Sequence, residues 1–266
     1  MARLRFALTV ALAVSTSGCL ASTTLIKLSA DGSGTVEQSV TMSAEAAAGL
    51  KQFAAGFGGK GGEDKPLDLF NEEQLREAAP KLGEGVRFVS SERIRSKDAE
   101  GVKAVYAFAD IRTLHVNQKP DVGSTPAPGL GGESREDVAF QFTRRPGGAS
   151  AVTVVFPELN LATGEKPSKP RADKVELGML QGILKGLRIS IALEVAGPIL
   201  KTNSPYVNGS TVTLLEMDFE QLLADPSAIE RLQGAGSLEE AKSLLKGVKG
   251  LKINSDRQVI VEFAGR

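Results

Sequence analysis

The run Leu187-Arg188-Ile189-Ser190-Ile191-Ala192-Leu193-Glu194-Val195 alternates large aliphatic residues with polar or small ones from end to end. That period of two is the pattern of a half-buried β-strand. Leu187, Ile189, Ile191, Leu193 and Val195 fall on one side, and a side this apolar has to be buried under a covering layer. Downstream, Gly197-Pro198 interrupts the pattern because proline cannot donate to a strand ladder, and Thr211 to Met217 resumes it beyond Asn208-Gly209. Two strands joined by an irregular stretch are expected, with the turn at Asn208-Gly209 suited to a positive φ.

Working outward, further strand pairs appear. Thr24 to Ser29 and Thr35 to Met42 flank Asp31-Gly32-Ser33-Gly34, a hairpin signature. Val86 to Ser96 pairs with Val102 to Asp110 across Ala99-Glu100-Gly101, and Val138 to Arg144 pairs with Ala151 to Phe156 across Pro146-Gly147-Gly148. Helices with recognisable starts lie between them. Ser43 precedes Ala44 to Phe57, Asn71 with Gln74 precedes Leu75 to Leu82, and Ser237 with Glu240 opens Leu238 to Lys246. A further helix spans Asp173 to Leu187. Ala46, Leu50, Phe53, Ala54 and Phe57 make an apolar stripe on the first, and Met179, Leu180, Ile183, Leu184 and Leu187 make one on the last. Such stripes cover a sheet, line a lipid-holding cavity or meet a partner.

Hairpins dominate and regular strand-helix-strand spacing is absent, so the expected class is α+β: a mainly antiparallel β-sheet built from hairpins, with several helices packed on it. Stretches rich in Gly, Pro and polar residues near 58–66, 119–136 and 157–171 read as exposed loops in one domain spanning residues 19–266.

The beginning of the chain carries a different signal. Arg3 and Arg5 precede an apolar run from Phe6 to Val14, and Ser15 to Gly18 are small, the three parts of a secretory signal peptide. The apolar run is too short to span a bilayer, which takes about 20 residues. Thr16-Ser17-Gly18-Cys19 resembles the lipobox of bacterial lipoproteins. That resemblance implies a lipid on the Cys19 thiol, removal of residues 1–18 and a membrane anchor. The alternative is an ordinary signal cut after Ser15, leaving Cys19 as a free thiol. Cys19 is the only cysteine, so no internal disulfide forms even in an oxidising compartment. Two or more acyl chains anchor stably, at about 0.8 kcal/mol per buried methylene. Leu20 is not the Asp that commonly retains such proteins in the inner membrane, so an outer-membrane location on the periplasmic side is expected if the organism has two membranes.

The chemistry the residues allow is narrow. Loss of Arg3 and Arg5 leaves 30 of 32 basic residues against 32 acidic ones, a formal charge of about −2, so no nucleic-acid partner is expected. His115 is the only histidine, which excludes histidine-rich metal sites, and no Gly-x-Ser-x-Gly elbow accompanies it. No cofactor and no metal are expected. Gly56-x-Gly58-x-x-Gly61 spells a dinucleotide fingerprint but follows an Ala-rich helix instead of a strand, and Lys60 there is followed by Gly61 instead of Ser or Thr. Glu216, Asp218, Glu220 and Asp225 cluster in sequence, with Asp218 placed to cap a helix and the others on a solvated face. Paired carboxylates can also hydrolyse glycosides.

The segment Gly197-Pro198-Ile199-Leu200-Lys201-Thr202-Asn203-Ser204-Pro205-Tyr206-Val207-Asn208-Gly209-Ser210-Thr211-Val212-Thr213, with the Asp-Gly-Ser-Gly turn soon after Cys19, resembles LppM-like bacterial envelope lipoproteins. The resemblance implies a membrane-anchored envelope lipoprotein, with lipid or glycolipid binding among its possible roles. Two readings of Asn203 and Tyr206 stand side by side: they shape the connection between strands, or they form a polar rim for a ligand or partner. The function expected is a non-enzymatic binding or interaction module for a lipid, an envelope component or a protein partner. An envelope-polymer hydrolase working through carboxylates is the alternative.

Overall fold

Strands β1 (Leu20–Leu28) and β2 (Gly34–Ser43) form the first hairpin. In its turn Asp31 Oδ1 accepts from the backbone N–H (3.0 Å) and hydroxyl (2.6 Å) of Ser33, while Gly32 takes a φ of 92°. The computed structural model describes residues 20–44, 71–116, 121–122, 125–126, 137–145, 148–157, 186–225, 243–244, 247–254 and 256–265. The second hairpin joins β3 (Arg87–Arg95) to β4 (Ala99–Phe108), and β5 (Asp121–Val122) with β6 (Thr125–Pro126) makes a small separate pair. Then follow β7 (Ala139–Arg144), β8 (Ala149–Val155), β9 (Leu187–Val195), β10 (Ile199–Thr202), β11 (Val207–Asn208), β12 (Thr211–Asp218), β13 (Leu251–Ile253) and β14 (Gln258–Ala264).

These strands make two principal sheets. The larger has eight strands, in the order β11-β12-β9-β1-β2-β4-β3 with β13 also on β12; the smaller has the order β10-β14-β8-β7. All pairings are antiparallel except that of β1 with β9, which run side by side from Leu20 and Leu187 to Leu28 and Val195. In register across the larger sheet lie Val212, Leu193, Ile26, Val36 and Tyr106, each fully buried, with Phe88 continuing the row on β3. Burial of one such aliphatic side chain is worth about 1.5–3 kcal/mol, so this row is a principal stabilising feature. Val152 and Val154 of β8 and Val259, Val261 and Phe263 of β14 join it in one hydrophobic cluster. The smaller sheet is therefore a covering layer for the side that the Leu187–Val195 alternation requires to be buried.

Tyr106 also holds a helix. Its hydroxyl donates to the Leu75 carbonyl at 3.1 Å, in α1 (Glu72–Ala78), and burial pushes its pKa up to about 12. Asn71 caps α1 by accepting from the Glu73 N–H at 2.9 Å. Pro80 lies in the 3₁₀ turn that follows, Ala79–Leu82, where a further α-turn would need the N–H that proline lacks. The other short helix, α2 (Phe219–Leu223), starts at the end of β12.

The expected class needs correction. Of the described residues 59% are strand and 14% helical, with α1 and α2 as the α-helices of stated bounds, so several helices packed on a sheet are not what is found. The physical reason lies in the sequences of β8 and β14. Ala-Ser-Ala-Val-Thr-Val-Val and Gln-Val-Ile-Val-Glu-Phe-Ala alternate strongly enough to present an apolar sheet face of their own, and that face does the covering assigned to helices. Expected elements at residues 45–57, 173–185 and 238–242, the loops over 58–66 and from 158 to 171, and most of 119–136 lie outside the described residues, as does the signal segment 1–18.

Candidate functional site

The connection from Thr202 to Gly209 carries the residues singled out in the sequence. Ala196 donates its backbone N–H to Leu28 at 2.9 Å, and the chain then leaves the larger sheet to enter the smaller one as β10. Gly197 makes that passage possible: a Cβ there would collide with the Ala264 carbonyl oxygen. Beyond β10, the Asn203 side chain takes over from the backbone. Its Oδ1 accepts from the Ile260 N–H at 2.8 Å, and its Nδ2 donates to the Gln258 carbonyl at 2.9 Å and to Asp256 Oδ2 at 3.3 Å. A side-chain amide carries the same donor and acceptor pair as a peptide unit, so Asn203 extends the β10–β14 ladder past the point where the main chain departs.

Ser204 and Asn254 form a second clasp, and both are buried. The Ser204 hydroxyl donates to Asn254 Oδ1 at 2.7 Å, and Asn254 Nδ2 donates to the carbonyls of Thr213 (3.1 Å) and Leu214 (2.9 Å). Those carbonyls sit where the register of β12 against β9 shifts between Thr213 and Leu215. Buried polar groups need partners, and here each supplies the other's. The clasp ties the connection to the β12 irregularity. Neither residue is singled out by the sequence; the only hint is that both stand in short polar runs beside strands.

The hairpin of β11 and β12 closes through Gly209 and Ser210. Gly209 has φ 60°, and no described residue other than glycine has positive φ. A two-residue loop with glycine alone left-handed, in the first central position, matches a type II′ turn. Asn208 is therefore an ordinary strand residue, and the positive φ expected for Asn208-Gly209 falls on Gly209. Tyr206 is half-buried, its carbonyl accepting from the Thr213 N–H at 2.9 Å. Val207 on β11 is 42% exposed, Leu200 on β10 59% and Ile260 on β14 40%, and of these Ile260 is tied to Asn203 through its N–H.

The other sequence candidates separate from this segment. Glu216 pairs with Lys252 at 2.9 Å. Asp218 caps α2 by accepting from the Gln221 N–H at 3.2 Å and is bound by Arg188 at 2.6 Å. Burial alone would raise the Asp218 pKa; the hydrogen bonds from Arg188 and Gln221 and the charge of Arg188 outweigh it and hold the carboxyl below the usual carboxylate range. On the side of the sheet opposite the buried row, Glu37 sits between Lys27 and Lys103, and the two ammonium groups likewise overcome its burial and lower its pKa. These are paired charges in structural positions. His115 is exposed between buried Leu114 and Val116. No group of three or more His, Cys, Asp or Glu among the described residues could hold a metal, and no described helix is long and apolar enough to cross a membrane. Cys19, Gly56 to Gly61 and Lys60 lie outside the described residues. β1 begins at Leu20, whose N–H donates to the Gly186 carbonyl at 3.5 Å.

No protein-family profile and no curated protein sequence matches the chain. Among solved structures it is similar to the folded domain of LppM from Mycobacterium tuberculosis, determined by NMR, at 11% identity and a TM-score of 0.34, over 95% of this chain and 94% of that one. At that TM-score the likeness does not establish a shared fold.

Proposed function

We propose that the protein is a bacterial envelope lipoprotein, anchored through lipid on Cys19, whose β domain is a non-enzymatic module that binds a protein partner through the segment Leu200–Asn208. What supports the anchor is the Thr16-Ser17-Gly18-Cys19 motif behind a signal-like run, followed at once by the first strand. The observation that carries the binding role is that the segment exposes large apolar residues at both its ends, Leu200 and Val207, while Ile260, whose N–H is held by Asn203, is exposed as well. A surface segment that exposes large apolar residues suits association. In this reading Asn203 positions the segment, because its amide is occupied by β14, and Tyr206 and Val207 make the contact. The pairing of Glu216 and Asp218 with cations supports binding over hydrolysis.

The test is complementation of a deletion strain. Tyr206→Ala and Val207→Ser are expected to keep the parental melting temperature and to lose rescue of the envelope phenotype. Full rescue by both variants at normal abundance would overturn the assignment of this segment.

A further inference from the structure

The position of β1 in the larger sheet sets how such a protein stands on its membrane. We infer that the end of this sheet bearing the start of β1 rests directly on the lipid headgroups, so that the domain stands end-on with the β11–β12 turn at Gly209 pointing away from the bilayer. The inference rests on the proposed lipid at Cys19 and goes beyond it by naming the surface that meets the membrane.

Two geometric facts carry it. Leu20, the residue after Cys19, is already paired on both sides, with Met42 of β2 and Leu187 of β9. One trans peptide unit of about 3.8 Å thus links the lipidated residue to a fixed position in the sheet, so the tether is short. Moreover, β1 is an interior strand, with β2, β4 and β3 on one side and β9 and β12 on the other. At roughly 4.8 Å per strand, the sheet end extends about 14 Å from the anchor toward β3 and, since β13 pairs with the Met217 end of β12, about 14 Å toward β13 on the other side. An anchor on an edge strand would let the domain fall to one side. From the middle, tilting within the plane of the sheet drives one flank into the headgroups.

The residues at this end follow from the register. Met42 pairs with Glu100, Glu100 with Arg95, and Arg188 with Asp218. The β3–β4 turn, Ser96 to Asp98, is exposed here beside exposed Arg95 and is tied to the end of β2 by the Ala44 N–H to Asp98 carbonyl bond at 3.1 Å. Lys249 is exposed next to Gly250, whose carbonyl accepts from the Asp218 N–H at 2.7 Å. Among the described residues at this end, cations alternate with Asp98, Glu100 and Asp218, so those residues form no basic patch to pull the surface onto anionic lipid. Orientation comes from the join, and salt should not abolish it. At the other end, Asn208 pairs with Thr211, which pairs with Glu194 opposite Lys27. That level is seven residues along β1 from Leu20, about 23 Å at 3.3 Å per residue.

Reporter quenching on the full lipidated chain tests this. Because Cys19 is the only cysteine and is consumed by the lipid, Lys97→Cys, Lys249→Cys and Asn208→Cys each offer one thiol to a fluorophore. Proteins whose mass confirms acylation are placed in phosphatidylethanolamine–phosphatidylglycerol vesicles containing headgroup-nitroxide lipid. Labels at 97 and 249 are expected to be quenched several-fold more than the label at 208, at low and high salt alike. A Gly/Ser insert of about 20 residues between Cys19 and Leu20, with a root-mean-square span of about 25 Å, should erase most of the difference. An acylated chain with equal quenching at all three positions, or one whose contrast survives the insert, overturns the orientation alone. A chain that carries no acyl group overturns the anchor and the orientation with it.

Discussion

Replacing Asn254 by Ala removes three hydrogen bonds at once: those to the Thr213 and Leu214 carbonyls and the one received from Ser204. Net contributions near 1 kcal/mol per bond put the loss at about 3 kcal/mol. It will not fall far below that, since Asn254 and Ser204 are buried and the abandoned groups have little access to water. Against a stability of about 5–15 kcal/mol, this is a substantial fraction. Urea unfolding of the unlipidated Cys19→Ala chain, followed by far-ultraviolet circular dichroism, reads the change directly. With an m-value of about 2 kcal/mol/M, the midpoint should drop by about 1.5 M. Asn254→Asp should cost more, because it sets a carboxylate against two carbonyl oxygens and supplies no donor at neutral pH. A midpoint within about 0.3 M of the parent, corresponding to roughly 0.6 kcal/mol, would refute the clasp as a stabilising link.

Glycine substitutions separate conformational from steric demand. Gly209→Val should destabilise by more than about 1 kcal/mol because a β-branched residue is strained at φ 60°, whereas Gly197→Ala should do so by collision with the Ala264 carbonyl; both are read as melting-temperature shifts. Asp218 sets an acid limit. Its folded pKa is lowered from 3.8, so its pairing stabilises the fold above the unfolded value, and that contribution is lost as pH falls through the folded pKa. Asp218→Asn keeps the helix cap and removes the charge, so its stability should be lower at neutral pH and decline less between pH 4 and the acid transition; an unchanged acid limb would contradict the assigned pairing with Arg188.

The legibility of the sequence varied with the range of the interaction. β9 was readable at both ends because its alternation is unbroken, and the β1–β2 and β7–β8 hairpins were marked by turn residues between short strands. Gly101 reads in the sequence as part of a turn but lies within β4, where a Cβ would collide with the Val40 carbonyl. The turn is three residues earlier, at Ser96 to Asp98. Parallel pairing of residue 20 with residue 187 has no local signature, and neither does the division into two sheets, which depends on Gly197 letting the chain cross between layers. Asn203 and Tyr206 stand out as polar and aromatic residues in an irregular stretch, but the role of the Asn203 amide depends on β14, 55 residues away at Gln258. Ser204 and Asn254, 50 residues apart, are likewise visible as partners only in three dimensions.

The anchor is the claim on which the remainder turns, and its direct measurement is intact mass spectrometry of the mature chain from a bacterial host, paired with metabolic fatty-acid labelling of wild type and Cys19→Ala. The account requires a wild-type chain that begins at Cys19, carries acyl mass and label, and fractionates with membranes, while Cys19→Ala carries no label and is released. A wild-type chain that begins at Thr16 with a free, unlabelled Cys19 would contradict it.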